Sequence, residues 1–132
     1  EAEALSLQTN DYIALADLEM IRSTLAVRDK NLSKAFEHAK EAQTLSLKGV
    51  DAMAYTTSSV AMSEIADLLN DRSTAYEVLA VGWVTLGDLI GSEVAQATFA
   101  PKLQALVKKW GKEEFLRIKS EYEASRMASN RT

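Results

Sequence analysis

The hydrophobic residues of this chain recur three and four positions apart, which is the spacing of one face of an α-helix. Leu15, Leu18, Ile21 and Leu25 form the clearest stripe of this kind. No stretch alternates apolar and polar residues over the length of a β-strand. The pattern therefore predicts an all-α protein that is more than about three quarters helical.

Capping residues and turn residues divide the pattern into seven predicted helices. The candidate N-caps precede apolar stripes and are Asn10, Asn31, Asp51 and Asp71. Gly91 and Gly111 are the candidate turn residues, and Pro101 should interrupt a helix because it cannot donate a backbone hydrogen bond. The predicted helices span 11–28, 32–47, 52–69, 73–90, 92–99, 101–110 and 112–128.

The sequence contains an internal repeat of about 40 residues. Residues 1–40 laid over residues 41–80 without a gap give 12 identities in 40 positions, and chance would give roughly a quarter of that number. A third copy is blurred, with residues 44–49 resembling residues 85–91. A period of about 40 residues is typical of helix-pair repeats. We therefore expect one domain over residues 1–128, with repeats at about 11–50, 51–91 and 92–128 and a frayed tail at 129–132.

Small residues recur in register within the repeat. Ser23 and Ala35 stand 12 positions apart, and Ser63 and Ala75 repeat that spacing. Short side chains let two helices approach closely, so these positions are predicted helix crossings. In the segments STLAVRDKNLSKAFEHAKEAQTLSLKGVD and SEIADLLNDRSTAYEVLAVGWVTLGDLIG the chain resembles the tetratricopeptide repeat (TPR) family, in its longer variant of about 40 to 42 residues. Ser23 and Ser63 stand where that family has Gly, so an unrelated helical-hairpin solenoid is the alternative.

The resemblance implies an antiparallel helix-pair solenoid of about three pairs, a TPR-like superhelix. It also implies that the first helix of each pair lines a concave groove that binds a peptide or a helix. The residues that map onto this groove are Asp17, Met20, Thr24, Val27, Arg28, Thr57, Val60, Glu64, Asp67, Leu68, Gln104 and Lys108. Their carboxylates would form an acidic wall beside apolar side chains, so the expected partner is a protein or peptide segment that is basic and amphipathic. The alternative for these carboxylates is a solvated face without a ligand.

Two expectations concern the core. The helix that carries Trp83 is apolar on nearly every face, so it should be covered all round, packed between the first pair and the third, with Trp83 in a packing role. The four methionines, Met20, Met53, Met62 and Met127, should fill gaps in the core.

The net charge of −4 is unevenly distributed along the chain. Residues 1–101 hold 7 basic and 15 acidic residues, whereas residues 102–132 hold 8 basic and 4 acidic ones. A nucleic-acid-binding domain needs a basic stripe through its body, so nucleic acid is not an expected partner. The apolar, uncharged run of residues 78–87 is too short to span a membrane, and residues 1–7 do not resemble a signal peptide. We expect no membrane insertion and a cytoplasmic location.

The side chains that carry most enzyme chemistry are scarce. The chain has no Cys, and His38 is its only His, so a metal or catalytic site built on these residues is not expected. His38 is better explained as a satisfied His between two helices or at the surface. No glycine pattern suits a phosphate group. The sequence therefore predicts no enzyme, no metal site and no cofactor.

Two functional hypotheses follow from this pattern. The first is a protein interaction module or scaffold that binds a peptide or a helix in the concave groove. The alternative is a regulatory or sensor domain of a larger protein, which self-associates or binds a small peptide signal. Leu5 and Leu7 begin half a repeat, so we expect this N-terminal repeat end either to form a homodimer or to be covered by upstream residues.

Overall fold

Six α-helices make up the structure, which is 91% helix. The computed structural model describes the backbone of residues 2–131 and the side chains of residues 10–129, and this part of the chain contains no strand. The helices are α1 (Ala2–Arg28), α2 (Leu32–Lys48), α3 (Ala52–Leu68), α4 (Arg72–Ile90), α5 (Ser92–Trp110) and α6 (Lys112–Arg131). The predicted all-α fold of three antiparallel helix pairs is confirmed.

Each helix packs mainly on the helices before and after it in the chain. In addition, α1 touches α3 and α4 touches α6, so neighbouring pairs are joined through more than their connecting turns. α4 packs on α3 of its own pair and on α5 and α6 of the third pair, and its Val78 packs against a cluster that contains Ala35 and Ala39 of α2. The helices form a stack in which sequence neighbours are also spatial neighbours.

The structural unit is one helix with its turn, and it recurs every 20 residues. The residues before α2 to α6 are spaced by 20 and are Asn31, Asp51, Asp71, Gly91 and Gly111. The carbonyl of each accepts a hydrogen bond from the amide four positions later, on residues 35, 55, 75, 95 and 115. All five of these residues are buried. The 40-residue repeat in the sequence therefore contains two such units.

The first three turns close with the same hydrogen bonds. The amides of Asn31, Asp51 and Asp71 each donate to the carbonyl five residues earlier, at 2.9 Å. The same three side chains cap the next helix by accepting from an amide three residues later, at 3.1–3.3 Å, which confirms them as N-caps. The last two turns instead use Gly91 and Gly111 at φ of 108° and 92°, a region that side chains rarely allow.

Two predicted helix interruptions are absent from the structure. Asn10 does not cap a helix, because α1 continues through it from Ala2, and no Gly or Pro nearby would force a break. Pro101 does not divide α5 into two helices. The buried Phe99 and Leu106 anchor α5 on either side of the proline, so packing offsets the missing hydrogen bond. At the C-terminal end of the described chain, α6 continues to Arg131, past the predicted end at 128. Thr132 lies outside the described residues.

The small residues mark close helix crossings, as predicted. Ala35 and Ala75 are completely buried. The Ser23 hydroxyl donates to the Ala35 carbonyl at 2.8 Å, and the Ser63 hydroxyl donates to the Ala75 carbonyl at the same distance. These hydroxyls join the two helices of each of the first two pairs.

Several apolar side chains are exposed, including two on α4, which the sequence predicts to be covered all round. The stripe of Leu15, Leu18, Ile21 and Leu25 is 40–57% exposed, because it lies on the side of α1 that no helix covers. On α4, Val81 and Val84 are also exposed, so that helix is not covered all round. Trp83 packs on the core as predicted.

The methionines fulfil the core prediction only in part. Met62 is buried and Met20 is half-buried against the same cluster of core residues. Met53 and Met127 are 81% and 58% exposed, so the core prediction is wrong for these two.

Candidate partner-binding groove

A cleft lies between α1 and α3, on the side of the stack formed by the first helices of the pairs. Its volume is about 420 Å³, and most of its lining is apolar. Met20 and Ile21 of α1 form one wall, and Met53 and Thr57 of α3 form the other. Asp17 stands at the wall of α1 and is exposed. We call this the α1/α3 cleft.

A second cleft continues along the same side between α3 and α5. It has a volume of about 320 Å³. Val60, Glu64 and Leu68 line the α3 wall, and Lys102 and Ala105 belong to the facing wall of α5. We call this the α3/α5 cleft. Acidic and basic side chains face each other across it.

Asp67 ties the two walls of the α3/α5 cleft together. The Trp110 indole donates to Asp67 Oδ1 at 2.9 Å, and the Lys109 ammonium donates to Oδ2. Partial burial alone would raise the pKa of the Asp67 carboxyl, but the hydrogen bonds from Lys109 and Trp110 and the positive charges of Lys109 and Arg72 hold that pKa below its ordinary value. Asp67 is therefore ionised and internally paired.

Arg72 and Glu114 extend this cluster toward α6. The Arg72 guanidinium lies 5.5 Å from the centre of the Trp110 ring, and it approaches a Glu114 oxygen to 3.9 Å. Arg117 is also hydrogen-bonded to Glu114. The charges near Trp110 are thus mostly neutralised by each other.

Asp17 and Glu64, the other acidic residues of the groove, differ from Asp67 in their surroundings. Within the described part of the chain, no cation pairs with Asp17 or Glu64, and both are exposed. The α1/α3 cleft therefore combines an apolar lining with a solvent-facing negative charge. The α3/α5 cleft has a mixed charge, with Glu64 opposite Lys102 and Lys109.

The structure brings together most of the residues predicted for the groove. Asp17, Met20 and Thr57 line the α1/α3 cleft. Val60, Glu64, Asp67 and Leu68 line the α3/α5 cleft. Thr24 and Arg28 line a shallow depression on α1 together with Met20. Val27, Gln104 and Lys108 line neither cleft.

The residues missed on α5 show where extrapolation from the repeat stops. Adding 40 to Glu64 and Leu68 gives Gln104 and Lys108, but the α5 wall is formed by Lys102, Ala105 and Lys109. The turns that precede α2, α3 and α4 are closed by the same hydrogen bonds, whereas α5, the first helix of the third pair, follows a glycine turn. Met53 was also missed, because an exposed methionine and a buried one look the same in a sequence.

His38 lies between α1 and α2, the role that the sequence favours for it. Its Nδ1 atom is 2.6 Å from a Glu19 carboxylate oxygen, and Arg22 donates to the other oxygen at 2.7 Å. Partial burial opposes ionisation of Glu19, but these two partners hold its pKa below the ordinary value. Among the described residues there is no group of three His, Asp or Glu side chains arranged to hold a metal ion.

Comparison with known proteins adds no relative. No protein-family model, no curated protein sequence and no solved structure matches this chain. None of the helices, over the described residues, is long and apolar enough to cross a membrane.

Proposed function

We propose that this protein is an interaction module that binds a basic amphipathic helix or peptide along the α1/α3 and α3/α5 clefts. The observation that carries the proposal is the α1/α3 cleft, where an apolar lining lies beside the exposed Asp17. The resemblance of the repeat to the tetratricopeptide family supports it, because that family binds ligands on its first helices. The proposal involves no catalytic step, cofactor or metal.

Apolar contact would supply most of the affinity. Met53 is 81% exposed and Ile21 is 57% exposed, so both can lose much water-accessible surface when a ligand covers them. A methionine also adapts its shape to different ligand side chains. An amphipathic helix would place its apolar face on these residues.

Charge would select the ligand and orient it. A basic ligand segment is attracted by Asp17 in the α1/α3 cleft, whereas Lys102 at the other end of the groove favours an acidic ligand residue. Asp67 contributes less than its position suggests, because Lys109 already neutralises it. We therefore expect the basic part of the ligand to lie against α1 and α3.

Two synthetic amphipathic peptides of equal length and apolar content can test the proposal. One carries Lys and the other carries Glu on its polar face, and each is titrated with the protein by fluorescence anisotropy. The basic peptide should bind about tenfold or more tightly than the acidic one, and the difference should shrink with added salt because rim charges are screened. Equal binding, or tighter binding of the acidic peptide, would contradict the proposal.

A matched pair of variants locates the binding surface. Met53→Lys removes apolar surface from the α1/α3 cleft and repels a basic ligand, so it should weaken binding about tenfold. Met127→Lys makes the same change at an exposed position on α6, away from the groove, and should leave the affinity unchanged. If both variants bind the basic peptide like the unmodified protein, the binding surface lies elsewhere.

A further inference from the structure

The side of α1 that faces away from the core carries an apolar seam with heptad spacing. Its members are Ala14, Leu18, Ile21 and Leu25, at intervals of four, three and four residues. Leu18, Ile21 and Leu25 are 40%, 57% and 47% exposed. On the opposite side of the helix, Ala16 and Ser23 are buried against the rest of the protein. We call these four residues the α1 seam.

The equivalent positions of α3 show what such a face does within the stack. Forty residues later in the repeat stand Ala54, Ser58, Ala61 and Ile65. Ser58 and Ile65 are buried, and Ile65 packs in a cluster with Ala35 and Ala39 of α2. This face of α3 is therefore a junction between helices. The corresponding face of α1 is uncovered.

The α1 seam differs from that internal junction in the size of its side chains. Leu18 and Ile21 replace Ser58 and Ala61, so a helix could not approach α1 as closely as α2 approaches α3. Alternating intervals of three and four between bulky aliphatic residues are instead the pattern by which two separate helices pair as a coiled coil. The seam therefore fits a partner helix with the same pattern.

We propose that the α1 seam pairs with the α1 seam of a second copy of this chain, with the two helices parallel. Charge favours this orientation, because parallel pairing places Asp17 beside Arg22 of the partner subunit, twice across the two-fold axis. Antiparallel pairing would place Asp17 opposite Thr24 and Arg22 opposite Leu15, where neither charge gains a partner. Arg22 is half exposed, and its partner among the described side chains is Glu19 on its own helix, so it can reach across.

The seam adjoins the proposed groove and shares Ile21 with it, and the parallel dimer would also engage Asp17. Leu18 lines neither cleft, whereas Ile21 lies where the seam borders the α1/α3 cleft. Self-association through the seam thus competes with a ligand at Asp17 and Ile21, and it leaves Met53 and the α3/α5 cleft accessible. Leu5 and Leu7, which the sequence pattern assigns to self-association, have side chains outside the described residues.

Sedimentation velocity over a series of protein concentrations tests whether the copies pair. The unmodified protein should show a concentration-dependent dimer. Leu18→Glu buries a charge in the seam and should weaken dimerisation at least about tenfold. Leu116→Glu, at an exposed position on α6, is the matched control and should dimerise normally. A protein that stays monomeric, or a dimer that Leu18→Glu leaves intact, would overturn the proposal.

Disulfide trapping tests the orientation, and the absence of native Cys makes it unambiguous. In parallel pairing Ala14 faces its own equivalent, so Ala14→Cys should form a covalent dimer under mild oxidation. In antiparallel pairing Ala14 faces Leu25 of the partner subunit, so only a mixture of Ala14→Cys and Leu25→Cys proteins would crosslink. The second result would overturn the parallel arrangement. A separate measurement of peptide binding by the Leu18→Glu protein tests the proposed groove.

Discussion

Ser23 and Ser63 illustrate what a single residue contributes to this fold. Their spacing from Ala35 and Ala75 predicts a close helix crossing, and the crossings are present. Each hydroxyl also donates to the backbone carbonyl of the alanine it faces. This bond satisfies a buried serine hydroxyl, and so explains how serine can stand at these positions, where the tetratricopeptide repeats that the sequence resembles have glycine. The repeat predicts small side chains at these two positions, but it does not predict which atom each hydroxyl bonds.

Two glycines of α4 differ in the space around them, and this leads to opposite predictions. A Cβ added to Gly82 would lie 2.9 Å from Cζ of Phe99, a completely buried ring without room to move. A Cβ added to Gly87 would meet its nearest neighbour, Ala95 Cβ, at 3.8 Å, which is an ordinary contact. Alanine gains roughly 1 kcal/mol of helix propensity at either position.

We therefore expect Gly87→Ala to raise the free energy of unfolding by about 0.5–1 kcal/mol. Gly82→Ala should lower it by about 1–2 kcal/mol, because overpacking outweighs the propensity gain. Urea unfolding of the two variants beside the parent chain measures both effects. A stabilised Gly82→Ala protein would show that α4 and α5 can separate at little cost.

At the scale of the elements, helix type was predictable and two helix boundaries were not. Asn31, Asp51 and Asp71 cap helices because tight turns precede them, whereas Asn10 has the same chemistry inside a continuous helix. Whether Asn or Asp caps depends on the turn before it, which local sequence describes poorly. Pro101 similarly predicted a break that the packing of Phe99 and Leu106 overrides.

Removing that proline should stabilise α5. Pro101 is exposed, and in Pro101→Ala the new amide can donate to the Ala97 carbonyl without disturbing the core. Pro in a helix interior lowers stability by about 3 kcal/mol relative to Ala. Replacing it also makes the unfolded chain more flexible, which favours unfolding and offsets part of the gain. We expect a net increase of about 1–2 kcal/mol in the free energy of unfolding, measured by thermal and urea unfolding. Gln104→Ala, one turn later on the exposed side, should change it by less than about 0.5 kcal/mol. A less stable Pro101→Ala protein would mean that the proline shapes α5 favourably.

At the scale of the whole molecule, the sequence predicts a groove along the first helices, and clefts lie along those helices, but their charge differs from the predicted acidic wall. Composition indicated an acidic body, and Asp17 and Glu64 are indeed exposed acids of the clefts. Asp67 is different, because Lys109 and Trp110 reach it from residues 42 and 43 positions away. A repeat of 40 residues predicts which helices are neighbours. It does not predict which side chains meet where the third pair no longer follows the 40-residue spacing. The same departure explains why Lys102 and Lys109, rather than Gln104 and Lys108, line the α5 wall.

The Asp67 cluster gives the molecule a pH-dependent link between its second and third helix pairs. The hydrogen bonds from Lys109 and Trp110 lower the pKa of the folded-state carboxyl, so they stabilise the fold while that carboxyl is ionised. This stabilisation is complete above the unfolded-state pKa of about 3.9 and is lost as the pH falls through the lower folded-state pKa.

Asp67→Asn should therefore lower the free energy of unfolding by about 1–3 kcal/mol at neutral pH, because a charged acceptor of two hydrogen bonds is lost. The difference from the parent chain should shrink below about pH 4, where the parent carboxyl also becomes protonated. Urea unfolding at a series of pH values measures it, and Glu64→Gln, one turn earlier on α3, is the control because no cation among the described side chains pairs with Glu64. A difference between Asp67→Asn and the parent that is the same at pH 7 and pH 3 would show that shape, and not charge, holds α5 against α3 at this point.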